Sequence, residues 1–195
     1  MNRKWALVVL PFLMGFMACD ELVLPYTNTP APPPSYRVVI IGDSLSVDSR
    51  DEYQAHISGV YVDAIWGRGT THNVDGATFP NIDQAVDTWA NRVQPGGSLV
   101  IQDDGGETLI TEAFVRSVAD RLPDDRRLVW VSPNNTTISW GDQNRENVWN
   151  GLSSQPVSEY VDLFGVQAPW LTDHTHLNAE GQLQLALMVN HVVSS

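Results

Sequence analysis

Cysteine and lysine are almost absent from this chain, and basic charge is scarce. The one cysteine is Cys19. A single thiol leaves no intramolecular disulfide and no thiolate metal cluster. The one lysine is Lys4, so once the first segment is removed there is no amine for a Schiff base or a pyridoxal cofactor, no lysine for a phosphate-binding Walker loop and no Ser–Lys dyad. Eleven basic residues stand against 23 acidic ones, a formal charge of −12, which argues against nucleic acid as a partner because phosphate binding depends on clustered Lys and Arg. What is present is the composition of one globular domain: 195 residues, 43 % hydrophobic and 9 % aromatic.

Residues 1–18 have the outline of a secretory signal: positive Asn2-Arg3-Lys4, then an apolar run from Trp5 to Met17 broken only by Pro11 and Gly15, then small Ala18. The run is too short for a comfortable membrane span. Cys19 sits where a bacterial lipoprotein signal carries its lipidated residue, so the expectation is an exported, lipid-anchored envelope protein. Gly15-Phe16-Met17-Ala18 lacks the usual leucine three positions before the cysteine, and an ordinary signal peptide leading to a periplasmic or secreted protein is the alternative. Residues 19–35 are a proline-rich linker: Leu22 to Ser35 reads LVLPYTNTPAPPPS, an extended spacer. The folded domain is expected over 36–195. Cleavage before Cys19 leaves nine basic residues against 23 acidic ones and a charge of −14.

The domain alternates strand and helix patterns. Arg37–Ile41 is a continuous apolar run, as expected of a strand buried on both faces. Val60–Trp66, Ser98–Ile101 after a Pro95-Gly96-Gly97 turn, Leu128–Val131 and a short Val161–Phe164 are the other strand candidates. Ile82, Ala85, Val86, Trp89, Ala90 and Val93 keep helical spacing, as do Leu109, Ala113, Phe114, Ser117, Val118 and Leu122; Gly181 to Val193 closes the chain as a helix. This order predicts an α/β protein with a parallel sheet of about five strands, helices on both faces and ligands at the carboxyl ends of the strands.

Three places at strand ends or helix starts carry reactive residues. Gly42-Asp43-Ser44 follows the first strand; its ordinary structural role is to cap the next helix through Ser44 or Asp43, and its chemical role is a serine exposed at the sheet edge. Asp173 and His176 stand three apart before the last helix, a spacing that brings a carboxylate under an imidazole and frees the other ring nitrogen as a base. Asp173, His174 and His176 also read as a metal ligand set, although His56 and His72 lie far away in sequence. Gly67-Arg68-Gly69 after the second strand is either a tight turn or a source of backbone N–H groups for a substrate oxygen.

Taken together, Gly42-Asp43-Ser44, the Val62-Asp63-Ala64-Ile65-Trp66-Gly67-Arg68 stretch and the Asp-x-x-His-Leu-Asn-x-x-Gly run from Asp173 to Gly181 resemble the SGNH, or GDSL-type, hydrolase family. The resemblance covers nearly all of residues 36–195. It looks strongest to members acting on O-acylated polysaccharide or peptidoglycan. It implies a flavodoxin-like three-layer α/β/α sandwich and a cofactor-free, metal-free ester hydrolase. In that resemblance Ser44 is the nucleophile, His176 the base and Asp173 its orienting carboxylate. The oxyanion donors are the N–H groups of Ser44 and Gly67, with Gly69 as fallback. The family's Gly-x-Asn after the third strand is missing: the chain runs Gln102-Asp103-Asp104-Gly105-Gly106-Glu107 instead. Loss of one oxyanion donor typically costs about 10²–10³ in rate.

The expected substrate is a small ester or an O-acylated glycan carrying short, acetyl-type groups, because the domain has no room for a lid. An acyltransferase with the same triad and a non-catalytic glycan-binding lipoprotein are the alternatives, and the oligomeric state is left open. Trp66, Trp140, Trp149 and Trp170 fall near loops or strand ends and read equally as pocket wall or packing, whereas Trp89 and Trp130 fit core positions. Arg68 reads as a partner for an anionic substrate or for Asp63 or Asp75, and Pro133 to Asn144 as a polar loop.

Overall fold

A computed structural model describes residues 35–103, 109–132, 141–155, 158–162, 172 and 176–195, without the side chain of Asp75. All lie in one compact unit, Pro33–Ser195. Residues 1–18, where a secretory leader is expected, Cys19 and most of the expected linker fall outside the described residues, as do Asp173, His174, Trp140 and Trp170.

Five strands form the sheet: β1 (Tyr36–Gly42), β2 (Val60–Ala64), β3 (Val93–Gln102), β4 (Arg127–Val131) and β5 (Ser158–Val161). All pairs are parallel, in the order β2-β1-β3-β4-β5. This is the flavodoxin-like order. Its switch point, where the chain turns from building one side of the sheet to building the other, is the carboxyl end of β1.

Alternating side chains of the strands feed two cores. Val38, Ile40, Val100 and Val129 face one side, under α2 (Arg50–His56) and α6 (Ala179–Ser194). Val39, Ile41, Leu99, Ile101 and Trp130 face the other, under α3 (Ile82–Trp89), α4 (Glu112–Asp120) and α5 (Gly141–Ser153). The result is a three-layer α/β/α sandwich. Trp130 and Trp89 are buried as expected, and at about 25 cal/mol per Å² such large aromatic burials dominate the core energy.

Four sequence expectations shift. The second strand ends at Ala64, because Ile65 and Trp66 enter a turn in which Arg68 N–H bonds the Ile65 carbonyl. The third begins at Val93 and runs through Pro95-Gly96-Gly97; Tyr36 pairs Val93 and Val38 pairs Ser98, so the turn is accommodated as a register slip against β1. The fifth strand is Ser158–Val161; of the expected Val161–Phe164, Leu163 and Phe164 lie outside the described residues. Helix α5 occupies positions 141–144, which the polar-loop reading had included.

Candidate active site

The chain leaves β1 at Gly42 and enters the short helix α1 (Ser44–Asp48) with one residue between. Asp43 is that residue, and its carboxylate accepts from the Leu45 N–H at 3.0 Å. The capping role therefore falls to Asp43, which is 3 % exposed, and worth about 1 kcal/mol at a typical N-cap. Ser44 takes the first helical position, whose own N–H has no acceptor within the helix. Its hydroxyl is not spent on the cap. Ser44 Oγ lies 3.3 Å from His176 Nε2, 132 positions away in sequence.

Local sequence explains how His176 is held there. Leu177, next in the chain, is buried in the core beneath α6. Asn178 caps α6, accepting from the Gly181 N–H at 2.9 Å. The His176 carbonyl accepts from the Thr172 N–H at 2.8 Å and from its hydroxyl at 3.1 Å. A buried anchor, a helix cap and a closed turn thus fix the backbone on either side of the imidazole. With the proton on Nδ1, Nε2 accepts from Ser44; the separation is just beyond the roughly 2.6–3.2 Å of a tight nucleophile–base bond. Asp173, the expected orienting carboxylate, lies outside the described residues.

The glycine turn after β2 forms the third side. Gly67 has φ +72°, a conformation that favours glycine, and a Cβ there would stand 3.2 Å from that of Val74. Its carbonyl accepts from the Val74 N–H, and the carbonyls of Gly69 and Thr70 accept from Ile82 and Asp83 at the start of α3, so the turn is anchored at both ends. Arg68 is spent inside the protein: its guanidinium bonds the Asp63 carbonyl at 2.7 Å and the Asp63 carboxylate at 2.9 Å, with only 1 % of the side chain exposed. Trp89 Nε1 donates to the other Asp63 oxygen at 2.6 Å. Of the two readings of Arg68, the structural one holds.

Trp66, on the same turn, is 54 % exposed with its ring 5.3 Å from that of His176. It walls the site rather than packing in the core.

Buried polar residues that the sequence did not single out support this centre. The Gln102 side-chain oxygen Oε1 accepts from Ser46 Oγ at 2.5 Å and from the Tyr53 hydroxyl at 2.7 Å, tying the end of β3 to α1 and α2. Burial pushes the Tyr53 hydroxyl well above its ordinary range, and the Asp43 charge adds to the rise. Asp103, 2 % exposed, accepts from Thr70 Oγ1 at 2.5 Å. Asp103 thus has a hydroxyl donor; Asp104 and Glu107 lie outside the described residues.

Comparison with solved structures bears on the fold. The C-terminal catalytic domain of peptidoglycan O-acetyltransferase A from Streptococcus pneumoniae, solved with a methylsulfonyl adduct, superposes with a TM-score of 0.62 at 13 % identity, covering 83 % of this chain and 92 % of that one. A family two carbohydrate esterase from Clostridium thermocellum, an active-site mutant, gives 0.59 at 13 % identity over 83 % of this chain and 64 % of that one. A carbohydrate acetylesterase from Sinorhizobium meliloti gives 0.57 at 12 % identity, covering 81 % and 98 %. No protein-family model and no curated protein matches the chain. The chain shares the three-layer α/β/α fold of these domains.

Proposed function

We propose that this protein is an exported serine esterase that removes short, acetyl-type acyl groups from carbohydrate. The observation that carries the reading is the 3.3 Å approach of Ser44 Oγ to His176 Nε2 at the switch point of the sheet. The acetyl esterases and the O-acetyltransferase that share the fold support the substrate class.

In the proposed reaction Ser44 Oγ attacks the ester carbonyl carbon and gives its proton to His176 Nε2. The oxyanion is held by the N–H groups of Ser44 and Gly67. Collapse breaks the bond to the sugar oxygen, which leaves with the proton from His176, and an acyl-serine remains. Water then loses a proton to His176 and attacks the acyl carbon; the acid departs and Ser44 recovers its proton. Asp173 would hold Nδ1–H and stabilise the imidazolium. If a second sugar hydroxyl replaces water, the same steps transfer the acyl group, the reading that the acetyltransferase neighbour favours. Export with a lipid on Cys19 completes the proposal; Cys19→Ser is expected to release the protein from the membrane fraction.

The test is an organophosphonate probe with mass spectrometry, alongside turnover of p-nitrophenyl acetate. Probe mass on Ser44 and near-complete loss of turnover in a folded Ser44→Ala protein are expected. Turnover retained by Ser44→Ala removes Ser44 from the chemistry, and a folded wild type that neither labels nor turns over ester is a binding module.

A further inference from the structure

A second feature lies on the same edge of the sheet. Gly42, Gln102, Val131 and Val161 are register partners across β1, β3, β4 and β5. Asp162, which follows Val161, therefore stands in the same row as the residue before Ser44. Three strand spacings separate the two, about 14 Å at ~4.8 Å each. Between α5 and β5 at that position is a cleft of about 700 Å³ lined by Asp142, Arg145, Glu146, Trp149, Tyr160 and Asp162.

Four of the six come from one helical stripe. Positions 142, 145, 146 and 149 share a face of α5, while Asn144, Val148, Gly151 and Leu152 face inward. Asp142, Arg145 and Glu146 lie in the first two turns of α5, while Trp149 lies beside Tyr160 of β5. Trp149 is 58 % exposed, and Tyr160 meets it edge-on at 5.8 Å and 79°, which fixes the indole plane. Around that plane stand three carboxylates and one guanidinium, with Arg145 Nη2 3.4 Å from Asp162 Oδ2.

An exposed aromatic face rimmed by acceptors and one donor matches a pyranose ring, which presents C–H groups on its face and hydroxyls around its rim. A purely apolar ligand would desolvate the carboxylates without offering them a donor, and an anionic one would meet three of them. We infer that the α5–β5 cleft is a sugar-binding subsite, which holds a unit of the glycan some residues along the chain from the one presented to Ser44. The link to Ser44 rests on the esterase reading; sugar binding in the cleft does not. Trp149 and Trp66, the latter beside His176, are the two exposed tryptophans among the described residues.

The experiment titrates the full chain with unacetylated β-1,4-linked oligosaccharides of glucose and of N-acetylglucosamine of increasing length, followed by calorimetry. Affinity is expected to rise with length, to fall roughly tenfold in Trp149→Ala and to be partly kept in Trp149→Phe. On acetylated oligosaccharides kcat/KM is expected to rise with chain length in the wild type and to lose that dependence in Trp149→Ala. Trp149 is largely exposed, so circular dichroism of the variant should match the wild type. Unchanged affinity in folded Trp149→Ala, or no binding of either sugar series by the wild type, overturns the subsite. Binding that depends on Trp149 in a protein without ester turnover sinks the esterase and leaves the subsite. Ester turnover with no oligosaccharide binding does the reverse.

Discussion

Replacing Gly42 with alanine tests whether the β1–α1 junction positions Ser44, the proposed nucleophile. A Cβ at Gly42 would stand 1.9 Å from Ser46 Oγ, 2.4 Å from Ser46 Cβ and 3.1 Å from the Gln102 carbonyl oxygen. The hydroxyl could rotate away only by giving up its bond to Gln102, and the Ser46 Cβ is fixed to the backbone of α1. Restoring an ordinary contact of about 3.4 Å from 2.4 Å means moving the start of α1 by about 1 Å. Overpacking of this kind costs about 1–3 kcal/mol. A 1 Å displacement of a reacting group costs roughly 10²-fold in rate. Gly42→Ala is thus expected to lower the urea midpoint and to slow both p-nitrophenyl acetate turnover and probe labelling of Ser44 about a hundredfold.

Ser46→Gly separates this cause from any other effect at position 42. The single change weakens α1 by about 1 kcal/mol, the usual cost of glycine in a helix. It also removes the two atoms that Gly42→Ala would strike hardest. In the Ser46→Gly background, the Gly42→Ala penalty should shrink by more than about 0.5 kcal/mol, and turnover should recover relative to Gly42→Ala alone. Strictly additive penalties, or a Gly42→Ala protein with wild-type melting and turnover, would refute the steric account.

Two further outcomes follow from buried polar groups. Tyr53 has its hydroxyl pushed up by burial and by Asp43, so the folded state holds that proton more tightly than the unfolded chain. The stability it contributes is complete below about pH 10 and is lost as pH rises further, since there the unfolded state binds fewer protons. Tyr160, pushed up to about 12 chiefly by burial, acts in the same direction. Tyr53→Phe should cost about 0.5–1.5 kcal/mol at neutral pH through its bond to Gln102 and flatten the alkaline fall in urea midpoint; an unchanged alkaline slope refutes the assignment. Thr70→Val keeps the shape but removes a donor to Asp103, and should destabilise by about 1.5–3 kcal/mol in urea unfolding; a neutral effect would mean that the 2.5 Å contact contributes little.

How legible each element was depends on where it sits in the sheet. β1 and β4 are central and covered on both faces, so their apolar runs announce them without alternation. β5 is an edge strand, with three of its four residues only partly buried, and the more apolar run just after it drew the assignment three residues downstream. Helix α5 was hidden for a different reason. Its inward face includes Asn144, which accepts from the Ile110 N–H at 2.8 Å, while Asn147 donates to the Ile110 carbonyl. Polar residues facing inward to satisfy a neighbouring loop erase the apolar stripe on which periodicity relies. Ser44 and His176 were legible because glycine, cap and anchor residues surround them in short, dense motifs. The Ser46–Gln102–Tyr53 cluster was not, since its members lie 46, 102 and 53 along the chain and meet only when β3 pairs with β1.

The same cluster shows why the site residues and the fold are one problem here. Ser44 lies on a helix of only five residues, too short to hold its own position by helix propensity. Four contacts hold it: the Asp43 cap at its start, the buried Leu45 on its core side, the Ser46–Gln102 bond to β3, and the close approach that only glycine permits at position 42. Each is made to the sheet or to the junction with it. The serine is therefore as rigid as the sheet, while the imidazole it meets is set by a different element, the cap of α6. A serine and an imidazole carried on separate elements, each anchored to the core next to it, have their spacing set by the packing of those elements. That arrangement predicts that changes under α1 and changes at the α6 cap will both slow Ser44 labelling, and that neither will need to touch the substrate to do so.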